Sequence, residues 1–149
     1  TNVESGQYTV VASRGKADGL TSHLVKRSAT VEAGRVTRVD FAFEGSATLR
    51  GVFTIPSGRR GTSIIVREPG TAAEPISSDG KELYEQAVAV MRIAESGDYQ
   101  IDELPRGDFV VTAVGYGFGE DDEIHLFESP SHTVHLESGR VSTLSLGLP

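Results

Sequence analysis

The chain has 149 residues and a formal charge of −7, from 14 Lys and Arg against 21 Asp and Glu, and it contains no cysteine. That length suits one domain or one and a half, and the acidic balance argues against a nucleic-acid partner, which is held by clustered positive charge. Disulfides and thiolate metal sites are excluded, and no run approaches the ~20 apolar residues that cross a membrane as a helix.

Seventeen glycines, six prolines and abundant Val, Ile and Thr favour short strands joined by turns. Thr1 opens directly on a polar turn, with no charged-then-apolar leader, so the chain is expected to be a piece of a longer one. Alternation then predicts strands near 7–13, 23–31 and 35–43, the last with Phe41 and Phe43 on a buried face. Three strands with an open edge must be covered, either by packing on the C-terminal part of the chain, by adding to its sheet, or by pairing with other sequence.

Short matches recur in order. Gly6, Tyr8, Val10 and Ala12 align with Gly107, Phe109, Val111 and Ala113; His23-Leu24 with His125-Leu126; Thr30-Val31 with Thr133-Val134; and Gly34-Arg35-Val36 with Gly139-Arg140-Val141. A tandem array explains that order, with residues 1–44 as the C-terminal half of a preceding β-sandwich repeat and 45–149 as a complete module. The chain passes from Glu44 to Leu49 without a flexible linker, so the junction is expected to be stiff.

The stretch 82–94 is ambiguous. Leu83, Ala87, Val90 and Ala94 fit a helical face, whereas Ala87, Ala89, Met91 and Ile93 fit a strand face. Ser96-Gly97-Asp98 makes a hairpin connection into the Tyr99 strand, which favours a strand from about 87 to 95 and leaves a helical turn open at 82–86. From Gly97 to Val114 the pattern is plain: Tyr99, Ile101 and Leu104 on one side of a corner, and Phe109, Val111 and Ala113 on the other. At the corner Pro105 biases Leu104 to extended geometry and Gly107 tolerates unusual dihedrals. Gly115 to Gly119 alternates glycine with Tyr116 and Phe118 and predicts a mobile turn, followed by the acidic run Glu120 to Glu123 as a solvated loop. His132 and His135 are three apart, which in a strand sends them to opposite faces and disfavours a shared metal.

The corner resembles the carboxypeptidase regulatory-like domain, a transthyretin (prealbumin)-type sandwich whose pattern runs G-x-Y-x-I-x-x-L-P-x-G-x-[YF]-x-V. Gly97, Tyr99, Ile101, Leu104, Pro105, Gly107, Phe109 and Val111 match it. By that resemblance Leu49 to Val52 looks like the family's opening strand and Gly58 to Val66 like its second. Val134-x-Leu136 with Gly139-x-Val141-x-x-Leu144-x-Leu146 looks like its closing hairpin. The likeness covers 45–149, although the usual acidic residue before the G-x-Y strand appears only as Glu95 and the segment 68–86 has no counterpart. The implied fold is all-β, a Greek-key seven-stranded β-sandwich preceded by part of a second similar module.

No G-x-S-x-G elbow, P-loop or H-E-x-x-H is present, and the expectation is a non-catalytic chain without cofactor or metal. Arg106-Gly107-Asp108 spells an integrin-recognition tripeptide, but the corner already demands that glycine. The one nominated binding site is Tyr116 with Phe118, rings in an expected end loop that could stack on a sugar or anchor a protein. The expected role is a spacer or adhesion module of a larger extracellular, cell-surface or periplasmic protein, with neighbouring modules of the same chain as partners. A carbohydrate-binding module and an accessory domain of a peptidase are the alternatives. Arg outnumbering Lys points to a high-GC bacterial source.

Overall fold

A computed structural model describes residues 3–70 and 87–149, and within them the protein is an all-β sandwich of two sheets. Eleven strands are described: β1 (Gly6–Gly15), β2 (Thr21–Val31), β3 (Ala47–Thr54), β4 (Arg59–Arg67), β5 (Ala87–Arg92), β6 (Gly97–Leu104), β7 (Gly107–Phe118), β8 (Ile124–Glu128), β9 (His132–Leu136), β10 (Val141–Thr143) and β11 (Leu146–Gly147). The first sheet runs β1-β2-β5-β4-β7-β8, with β9 following β8 along the same edge of β7. In the second, β3 lies between β6 on one edge and β10 with β11 on the other.

Period-two alternation supplies the core. Ala47, Leu49 and Phe53 of β3 and Tyr99, Ile101 and Leu104 of β6 face Ile64 and Val66 of β4 and Phe109, Val111 and Ala113 of β7, all buried in one cluster. Tyr99 donates its hydroxyl hydrogen bond to the Leu144 carbonyl, so this one polar tip in the core is satisfied. Burial pushes its phenol up to about 12.

The corner at Pro105 joins β6 in one sheet to β7 in the other, with Gly107 at φ +133°, so it is an arch between layers. The expected closing hairpin is also an arch: β9 pairs with β7, whereas β10 pairs in parallel with β3 in the opposite sheet. Gly139, at φ +72°, gives its N–H to Ser46, and Arg140 N–H bonds back to Glu137 O at 3.1 Å, which turns the chain across the sandwich before an antiparallel ladder can start.

At the N-terminus β1 and β2 form a hairpin around Asp18-Gly19. The Asp18 carboxylate accepts the Leu20 and Thr21 N–H groups at 2.8 and 3.1 Å, which holds its pKa below the usual value, and Gly19 supplies φ +68°. The hairpin adds to the main sheet through Thr21, Ser22 and His23 on β5, so of the three ways to cover its edge the structure uses sheet extension. The expected strand at 35–43 does not form. The edge of β2 that it would need is occupied by β5 at one end, and the segment packs instead through half-buried Phe41 and Phe43, the latter ring 5.0 Å beneath the Arg14 guanidinium. The strand expected from 87 starts at Ala87 and ends at Arg92. The helical turn left open at 82–86 lies outside the described residues.

Candidate functional site

Tyr116 and Phe118 sit in β7, not in an end loop. The intervening glycines are there because the opposite face has no room. A Cβ on Gly115 would meet Leu148 Cδ1 at 2.2 Å and the Arg60 carbonyl at 2.4 Å, and one on Gly117 would meet Arg59 Nη1 at 3.0 Å and Gly58 O at 3.1 Å. Close packing under β7, and not backbone mobility, explains the Gly-x-Gly-x-Gly run.

On the outer face the two rings meet edge to face, with centroids 5.9 Å apart and planes at 84°. Cross-strand neighbours extend the patch: Tyr116 lies opposite Leu126, and Phe118 opposite Ile124. Phe118 is 56% exposed, Ile124 66% and Leu126 51%, so these side chains form a contiguous apolar strip in water. Sequence reasoning misses Leu126 and Ile124, although their alternation with His125 and Phe127 is a signal that could have found them. Beyond the strip the acidic run forms the tip of the β7–β8 hairpin. Gly119 N–H bonds to Glu123 O at 2.9 Å, Asp122 N–H to Gly119 O at 3.2 Å, and Asp122 takes φ +58°. All four carboxylates, Glu120 to Glu123, belong to exposed residues. On the reverse face Arg59 stacks on Phe127 at 3.6 Å.

A second feature lies where the hairpin meets the sandwich. Between Ala47 and Leu49 the ladder to β6 shifts register, so that Asp102 and Glu103 together oppose Thr48, and Glu103 adopts φ +57°. This bulge aims two successive carboxylates at the hairpin. Lys16 reaches Asp102 at 3.4 Å and Glu103 at 3.6 Å, and Arg14 reaches Glu103 at 3.2 Å. Burial raises the Asp102 pKa, but hydrogen bonds from Gln100 and Thr48 and the Lys16 charge outweigh it, and the net shift is downward. Beside the bulge is a cavity of about 330 Å³ whose walls include Arg14, His23, Phe43, Glu103 and Pro105.

His23 is 4% exposed, and its Nε2 has no partner among the described residues. Desolvation, with Lys16 and Arg14 adding repulsion against a smaller pull from Glu103 and Asp102, lowers its pKa below the ordinary 6.5. A histidine that resists protonation when folded binds more protons when unfolded, so stability must fall as pH drops below about 6.5. Urea unfolding should therefore show the wild type losing stability between pH 7.5 and 5 relative to His23→Leu, with the difference between them constant at alkaline pH. Parallel pH curves for the two proteins would show that His23 is not the group responsible.

The remaining candidates stay apart. His135 Nδ1 contacts Asp108 Oδ1 at 2.7 Å, both exposed, while His132 lies opposite Val111. Among the described residues no three His, Asp or Glu side chains gather as ligands of one metal ion. Compared with protein-family models, curated proteins and solved structures, the chain matches none.

Proposed function

We propose that this chain is a non-catalytic binding and spacing module of a larger secreted or cell-surface protein, of the carboxypeptidase regulatory-like kind, and that its ligand contact is the strip built on Tyr116 and Phe118. The observation that carries this reading is the exposed strip itself, since large apolar side chains are costly to leave in water unless a partner covers them. The spacing role rests on the junction. The N-terminal hairpin is bonded into the main sheet rather than tethered, which favours a rigid hand-over between neighbouring modules. Placement outside the cell or in the periplasm rests on the family resemblance alone.

A protein partner fits better than a sugar. Stacking on a pyranose needs a flat platform, whereas rings at 84° present one face and one edge.

The test compares the wild type with Tyr116→Ala plus Phe118→Ala, each immobilised and challenged with the neighbouring modules of the parent chain and with a glycan array. The double variant should lose protein binding and lose no more than about 1 kcal/mol of stability, because Phe118 is exposed and Tyr116 half-buried. Binding unchanged in the double variant would remove the strip from the function. A marked loss of stability would instead assign the rings to packing.

A further inference from the structure

Resting on the reading that the strip binds a protein, the geometry points to the kind of segment it takes. We propose that the outer edge of β8 and the apolar strip beside it dock an extended, lysine- or arginine-bearing segment of a partner protein, which adds to the seven-stranded sheet as a further strand.

The backbone argues for strand addition. Antiparallel ladders alternate bonded and non-bonded pairs. The bond from Gly119 N–H to Glu123 O and that from Ser129 N–H to Ala113 O mark the bonded pairs at both ends of the β7–β8 ladder. Counting inward by twos makes Gly117–His125 and Gly115–Phe127 the bonded pairs, and leaves Ile124 and Leu126 in the others. Their N–H and C=O groups therefore point away from β7, toward a side where no strand pairs with β8 among the described residues. An edge of this kind is a template for another chain.

The side chains then set the composition. Phe118, Ile124 and Leu126 line one face, so alternate residues of the incoming strand meet an apolar surface. At the tip, the exposed carboxylates of Glu120, Asp121, Asp122 and Glu123 lie immediately beyond Phe118 and Ile124, which matches cationic residues at the end of the strand that reaches them. The same charge argues against a second copy as occupant, because each copy brings its own acidic tip and a formal charge of −7.

Fluorescence anisotropy can test this with a labelled peptide of alternating valine and threonine ending in lysines, against a twin ending in glutamates. The lysine peptide should bind the wild type about tenfold more tightly at low salt, with the gap narrowing as salt rises. Leu126→Pro removes an outward-facing N–H together with one side chain of the strip and leaves the β7 ladder its donors, so it should weaken the lysine peptide about tenfold with little change in circular dichroism. Glu120→Lys with Asp121→Lys, confined to the exposed tip, leaves two positive and two negative charges there and should abolish the preference between the two peptides even if the proline variant folds poorly. Equal affinity of the wild type for the two peptides, binding that is indifferent to both variants, or no binding at millimolar peptide would each overturn the proposal. If partner binding is still lost in Tyr116→Ala plus Phe118→Ala while the edge and tip variants bind normally, the aromatic strip keeps its role and the strand-addition mode alone is refuted.

Discussion

Phe53→Ala is expected to destabilise the protein by about 3–5 kcal/mol, the cost of deleting a buried aromatic ring from a core that relaxes only in part. Phe53 is fully buried on β3, with Gly97 of β6 opposite on one side and Leu146 of β11 on the other. It also belongs to the other layer's packing. A Cβ placed on Gly61 of β4 would lie 3.0 Å from the Phe53 ring, so the ring fills the space that this glycine leaves. Because both sheets are held by backbone ladders, neither can close fully over the vacancy. For a chain of this size the loss corresponds to a fall in melting temperature of roughly 6–20 °C. Val52→Ala, one position along but half exposed, is the control and should stay within about 0.5 kcal/mol of wild type. A Phe53→Ala protein that melts with the control would show that this side chain is not shared between the layers.

Gly51→Ala adds one methyl group to the same strand and is expected to cost about 2–4 kcal/mol, combining overpacking with a disturbed buried hydrogen bond. The added Cβ would lie 1.8 Å from Leu144 O and 3.2 Å from the Tyr99 ring. Leu144 cannot simply step aside, since its N–H bonds to Arg50 O at 2.9 Å and its carbonyl accepts the Tyr99 hydroxyl. No unusual dihedral is involved at Gly51; the constraint is space alone. Relief comes from lifting the segment between β10 and β11 off β3, which would wet the Tyr99 ring. Its phenol, at about 12 in the wild type, should then titrate nearer the ordinary 10. Ultraviolet titration alongside a denaturant melt reads both effects. Wild-type stability with an unmoved phenol would mean that the close approach of Leu144 to β3 is not maintained in solution.

Whatever depends on side-chain period is legible in the sequence. Tyr99 and Ile101, then Phe109, Val111 and Ala113, alternate without interruption, and they face the core as that pattern demands. The step of three from Ile101 to Leu104 also carries information. An intact strand would put Glu103 in the core, so the odd spacing encodes the bulge that turns Asp102 and Glu103 toward Lys16 and Arg14. Harder to read are features set by distant backbone. Gly115, Gly117 and Gly119 resemble a turn because glycine has low strand propensity, yet Gly115 lies in β7 to accommodate Leu148, more than thirty residues away. Phe41 and Phe43 alternate as a strand would, but alternation cannot show whether a neighbouring edge is vacant. Of the candidate site, Tyr116 and Phe118 are visible as aromatics between glycines; their partners Ile124 and Leu126 become visible only once the β7–β8 register is known.

The position of β3 between β6 and the pair β10–β11 has a kinetic consequence. Every strand that pairs with β3 comes from at least forty residues further along the chain: β6 begins at Gly97, and β10 and β11 span Val141 to Gly147. Closing loops of that length carries an entropy cost before any pairing can offset it. While the polypeptide is emerging from a ribosome, β1 and β2 can zip locally, but β3 must wait for Gly97–Leu104 to cover one of its edges and for residues 141–147 to cover the other. The smaller sheet is therefore completed late, and a folding assay on nascent chains stalled before Val141 should find the hairpin formed and the edge of β3 that takes β10 and β11 still open to exchange.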